Sequence, residues 1–88
     1  MTDMLTLKPG VLLTETEYGM ALLDEKSAEY WTLNPTAALV LRTLLDGHGT
    51  ERAAELLTVR YEDVDPDTAA EDVHRVVEDL RSAGLVAP

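Results

Sequence analysis

Hydrophobic and polar positions change their rhythm once along this chain. Before residue 34 they come in short runs of five or six, parted by polar or glycine-containing reversals; after it they recur every three or four positions. Val11-Leu12-Leu13-Thr14-Glu15-Thr16 begins apolar and passes into alternating polar and threonine positions, as a strand does on leaving a core. Tyr18-Gly19 interrupts it, and Gly19 supplies the positive φ that a tight reversal often needs. Met20-Ala21-Leu22-Leu23 is apolar at both parities, the mark of a central strand. Asp24-Glu25-Lys26-Ser27 is a polar turn cluster. Ala28-Glu29-Tyr30-Trp31-Thr32-Leu33 carries the aromatic and β-branched residues that suit a pleated surface. The expected strands are 11–16, 20–24 and 28–33, paired as an antiparallel meander.

Asn34-Pro35 opens the helical half: Asn caps free N–H groups, and Pro fits the first helical position. Ala38, Leu41 and Leu45, with Leu44 beside them, form the inner face of a helix over 35–46 that stops at Asp46-Gly47-His48-Gly49. Thr50 is the expected cap of a helix over 51–60, with Ala53, Ala54, Leu56 and Leu57 inward. Asp65-Pro66 repeats the cap-plus-proline signal for a helix over 66–83. Its stripe is Ala69, Ala70, Val73, Val76, Val77, Leu80 and Ala83, after which Gly84 ends it and Leu85-Val86 returns to the core. The expectation is one domain over residues 1–88. Its class is α+β: a three-stranded antiparallel sheet followed by three helices, winged helix-turn-helix-like with the order of elements altered, helices two and three forming the helix-turn-helix pair.

Composition narrows what such a domain can do. In 88 residues there is no cysteine, which excludes disulfides, thiolate zinc sites, iron–sulfur clusters and a cysteine nucleophile. Seven Lys and Arg against 17 Asp and Glu give a net charge of −10. A winged helix suggests DNA, but the recognition-helix candidate carries Asp67, Glu71, Asp72, Glu78 and Asp79 against Arg75 and Arg81, and phosphates would repel it. An anionic membrane surface is excluded on the same ground. Met1-Thr2-Asp3-Met4 does not begin a secretory signal, and no apolar run approaches the roughly 20 residues of a membrane span. The expected setting is cytoplasmic.

Catalytic chemistry is equally sparse. His48 and His74 lack metal-ligand spacing, and Ser27 and Ser82 lack a nucleophile elbow. Glu62, Asp63, Asp65, Asp67, Glu71 and Asp72 lack the spacing of a calcium loop; Asp65 and Asp67 suit a helix N-terminus and the others a solvated face. No nucleophile, base and orienting group can be assembled, so the expectation is a non-enzyme without metal or cofactor. Binding through backbone and shape remains. If the third strand is an edge, its free N–H and C=O groups can take an extended peptide. Glu29, Trp31 and Leu33 share one face of it and Ala28, Tyr30 and Thr32 the other. Leu33 precedes the helix cap, so its face points to the helices and Trp31 walls a groove near the third helix. The plain alternative for Tyr30 and Trp31 is ordinary packing, though adjacent aromatics point to opposite faces and one should be exposed.

Several segments resemble the PqqD-like family, the peptide-recognition element of ribosomal peptide maturation: Lys8-Pro9-Gly10-Val11, Gly19-Met20-Ala21-Leu22-Leu23-Asp24, Tyr30-Trp31-Thr32-Leu33-Asn34, Leu44-Leu45-Asp46-Gly47 and Leu80-Arg81-Ser82-Ala83-Gly84-Leu85-Val86. The resemblance implies a non-catalytic binder of a precursor's leader, which adds beside the third strand and docks against the third helix. On this chain the implied peptide-binding residues are Ala28, Glu29, Tyr30, Trp31, Thr32 and Leu33 as the bed, with Val73, Val76, Val77 and Leu80 as the wall. Spacing leaves open which of those four line the groove and which fill the core. Asn34 matches the family but reads as a structural cap. The chain looks most like the stand-alone leader-binding proteins of lasso-peptide biosynthesis, whose partners are a precursor leader with a Tyr and a nearby Pro, a cysteine-type leader peptidase and a macrolactam cyclase. The alternatives are a PqqD-type chaperone presenting a precursor to a radical SAM enzyme in PQQ biosynthesis, or a dimerisation module using the same edge.

Overall fold

The computed structural model describes residues 5–87; the Met1–Met4 stretch considered for a signal lies outside them. The order of elements is β1 (Thr6–Leu7), β2 (Val11–Thr16), β3 (Gly19–Asp24), β4 (Glu29–Leu33), α1 (Pro35–Leu45), α2 (Thr50–Arg60), α3 (Pro66–Ser82) and β5 (Val86–Ala87). β2, β3 and β4 form an antiparallel sheet in that order, with the doubly apolar β3 in the centre. α1 packs on this sheet, and α2 and α3 pack on each other and on α1.

The caps explain most boundaries. Asn34 Oδ1 accepts the Ala37 N–H at 2.8 Å and Asp65 Oδ1 accepts the Thr68 N–H at 2.8 Å, each just before a proline in the first helical turn. Thr50 is not a cap. It is the first residue of α2, behind an extended Gly49 that has no side chain to cap with. At Gly19 the φ is 141°, and an added Cβ would fall on the Leu33 carbonyl oxygen, so this glycine serves a close approach between β3 and β4 as well as the reversal.

Met20, Leu22, Val40, Leu41, Leu44, Ala53, Leu57, Ala69, Val73, Leu80 and Leu85 are all buried, joining the sheet's inner face to all three helices. Three expectations on burial need correction: Ala70, placed in the α3 stripe, is exposed; Leu56, expected inward on α2, is only half-buried and does not pack on the core; and Val40, outside the expected α1 stripe, is fully buried. A small second sheet was not expected at all. β1 pairs antiparallel with β5, extended by a bond from the Lys8 N–H to the Leu85 carbonyl. Among the described residues no helix is long and apolar enough to cross a membrane.

Candidate functional site

β4 is an edge of its sheet, and its register shows which main-chain groups are left over. The Glu25 N–H donates to the Gly10 carbonyl, so bonded pairs between β2 and β3 continue through Leu12 with Leu23 and Thr14 with Ala21. β3 therefore turns the main-chain groups of Met20, Leu22 and Asp24 toward β4, where their partners are Leu33, Trp31 and Glu29. The main-chain groups of Tyr30 and Thr32 consequently point away from the sheet, along the open edge. They offer an extended guest two donors and two acceptors.

Side chains divide the same way. Trp31 and Leu33 lie opposite Leu22 and Met20 on the face toward the helices, and both are half-buried against the core. Tyr30 and Thr32 lie on the outer face, and Tyr30 is 67% exposed. Of the two adjacent aromatics, one is thus packed and the other open to solvent. Ala28 falls outside the strand. It sits in the turn with φ 63°, and its N–H is bonded to the Asp24 carbonyl. The strand expected over 28–33 therefore begins at Glu29, because left-handed backbone cannot continue a ladder.

The four α3 residues separate. Val73, Val77 and Leu80 are buried in the core, whereas Val76 is only half-buried against it. On a helical projection Val76 lies on one flank with Asp72 and Ala83, while Pro66, Ala70, His74 and Arg81 occupy the other. β4 packs chiefly on β3 and α1, and α3 on α2, α1 and β5, so α1 is the shared support of β4 and α3. Trp31, Leu33 and Val76 are the half-buried apolar side chains that these two elements contribute.

The outer face has a property that single positions do not reveal. Leu12, Leu23 and Tyr30 form one cross-strand row and Thr14, Ala21 and Thr32 the next. Not one of the six is charged, and Leu12 and Leu23 are 48% and 40% exposed. Antiparallel sheets with one solvated face normally make it polar. Reading strand parity across all three runs was the signal that could have exposed this. Among the described residues no group of three or more acidic or histidine side chains is placed to hold a metal ion. Asp65 has a carboxyl held below the usual carboxylate range, first by the Thr68 N–H and then by the Thr68 hydroxyl, and this belongs to the α3 cap.

The model of the family described as Coenzyme PQQ synthesis protein D (PqqD) matches residues 19–86. The chain belongs to this family. Among solved structures it is similar to a lasso peptide synthetase B1 complexed with the leader peptide, with 42% identity, coverage of 98% of this chain and 100% of that one, and a TM-score of 0.91. It is also similar to TbiB1 in complex with the TbiA(beta) leader peptide, at 18% identity over 92% of this chain and 93% of that one, with a TM-score of 0.82. The second likeness bears on the fold alone. No curated protein sequence matches the chain. In this PqqD-family domain the strand that leads into α1 is an edge strand, and the aromatic pair sits on it.

Proposed function

We propose that this PqqD-family chain binds the leader segment of a ribosomally made precursor of the lasso-peptide type without catalysing a reaction itself. The observation that carries the reading is the edge of β4, unpaired among the described residues, where the main-chain groups of Tyr30 and Thr32 face outward beside the half-buried Trp31 and Leu33. The relative that shares 42% identity over nearly the whole chain is described with a leader peptide, which supports the same assignment. The leader adds as a fourth strand. Its alternate side chains fall on the helix side, against Trp31, Leu33 and Val76, and these set specificity because backbone pairing accepts any sequence.

The bound leader is delivered to a separate cysteine-type peptidase and a macrolactam cyclase. The uncharged outer face supports this step: Tyr30 belongs to both the bed strand and the exposed row, so an enzyme resting on that row meets the leader directly. A second reading, presentation of a precursor to a radical enzyme in PQQ synthesis, rests on the description of the matching family.

The test is fluorescence anisotropy with a labelled synthetic leader carrying a Tyr-x-x-Pro element. The native chain should bind saturably, and Trp31→Ala, verified as folded by circular dichroism, should bind at least about tenfold more weakly, as expected from losing an aromatic contact. Equal affinity in the folded variant rejects the groove. A chain that sediments as a β4-paired dimer and ignores the peptide is a dimerisation module instead.

A further inference from the structure

Val73 and Val77 border a second hollow, on the flank of α3 opposite Val76. There α2 and α3 part over a cleft of about 610 Å³. Leu5, Leu44, Val73 and Val77 form its floor, and the small side chains of Ala54 and Ala70 keep it open where bulk would close it. Along α3 the lining runs from Pro66 to Arg81. At 1.5 Å per residue that is roughly 22 Å, the length of about four helical turns. A shallower hollow joins it, since Ala70 and His74 border both. No residue of β4 lines either hollow, so a guest on the sheet edge leaves them free.

Charge selects the occupant. Arg52 and Arg75 are already engaged, with Glu55 and Asp72. Glu51 on the cleft, and Glu71 and Glu78 on the adjoining hollow, belong to no ion pair among the described residues. Arg81 stands at the C-terminal end of the cleft. Cleft and adjoining hollow together thus carry three uncompensated carboxylates, Glu51, Glu71 and Glu78, against one uncompensated cation, Arg81, among the described residues, in a chain of net charge −10.

The geometry points to a docking groove for a cationic amphipathic helix of a partner protein. The apolar stripe of that helix enters between Ala54 and Ala70, in the helix-in-groove manner, and its flanking Lys or Arg side chains meet Glu51, Glu71 and Glu78. A carrier built this way holds its peptide on β4 and its partner on α2 and α3 at the same time. The groove is independent of the leader reading and stands or falls separately from it.

The test uses the full chain, labelled with 15N, and a 14-residue Leu/Lys amphipathic helical peptide, with the matching Leu/Glu peptide beside it. The Leu/Lys peptide should shift the amide signals of Ala54, Ala70, Val73 and His74 saturably, and the Leu/Glu peptide should not. Ala70→Trp, at an exposed position, should weaken binding at least tenfold and leave affinity for the labelled leader unchanged. Glu71→Gln with Glu78→Gln, both on the surface, should weaken it several-fold and flatten its salt dependence, and this variant carries the test if Ala70→Trp does not fold. The proposal is overturned by shifts confined to another surface, by an equal response to the Leu/Glu peptide, or by unchanged binding in the variants. It is also overturned if the leader itself, or a second copy of the chain at higher concentration, moves the same four amides.

Discussion

β2, β3 and β4 follow one another in the chain and pair through short reversals, whereas β1 and β5 come from opposite ends of the described chain and meet over two residues each. The first arrangement closes short loops and can form early. The second closes a loop of nearly the whole domain, at a greater entropic cost. They also use their main-chain groups differently. The bonds of the small ribbon, the one from the Lys8 N–H to the Leu85 carbonyl among them, tie together two distant segments, and Leu5, Leu85 and Val86 there are buried. The larger sheet leaves the outward groups of Tyr30 and Thr32 unspent. Damage to the ribbon should therefore register as lost stability, and damage to the β4 edge as lost binding.

The strongest way to break that contrast is Leu85→Ala. Leu85 is 1% exposed, and truncating such a side chain costs about 2–5 kcal/mol. Urea denaturation should show a loss of that size, while the fraction still folded binds the leader peptide with native affinity. A loss below about 1 kcal/mol would place the ribbon outside the cooperative core.

Thr32→Pro attacks the other side. Its N–H points along the open edge, so proline there removes a donor to the guest and none to β3. Leader affinity should fall about tenfold or more, the worth of one main-chain bond with a ring in the guest's path, while the melting temperature stays near native. Trp31→Pro is the matched control, since its N–H is directed at Leu22, and it should unfold the sheet. Native leader affinity in a destabilised Thr32→Pro would reverse the assignment of outward groups.

The smallest expected effect separates the helical frame from both sheets. Asp65 caps α3, and the hydrogen bonds from Thr68 favour its charged form, so its folded pKa lies below its unfolded one. The stabilisation is present above the unfolded value and is lost as pH falls below about 4 toward the folded value. Asp65→Asn keeps an acceptor for the Thr68 N–H but cannot titrate. Its melting temperature should lie slightly below native at pH 7, and the two curves should converge in acid. Parallel curves down to pH 2 would show that the carboxylate charge contributes nothing to the cap.

How much was legible in the chain follows the range of the interactions. Asn34-Pro35 and Asp65-Pro66 marked their helices correctly, because a cap joins residues three positions apart. Thr50 misled, since an extended glycine can stand at a cap position without a side-chain bond and leaves no mark of its own. β1 and β5 were invisible: two residues have no periodicity to read, and their pairing depends on everything between them. At the site, the aromatic run announced a strand, yet the left-handed turn at Ala28 shortened it. The α3 stripe showed that Val73, Val76, Val77 and Leu80 share a helix face. It could not show that three are buried and one only half-buried.

By itself the sequence determined the meander, the three helices, the acidic surface and the absence of thiol chemistry, all of which rest on composition or on contacts within a few residues. The tertiary structure alone decided which strands stand at the sheet's edges, which main-chain groups look outward from β4 and which flanks of α3 meet solvent. These depend on α1 lying between sheet and helices and on register across strands, that is, on contacts between residues far apart in the chain, which no local pattern encodes.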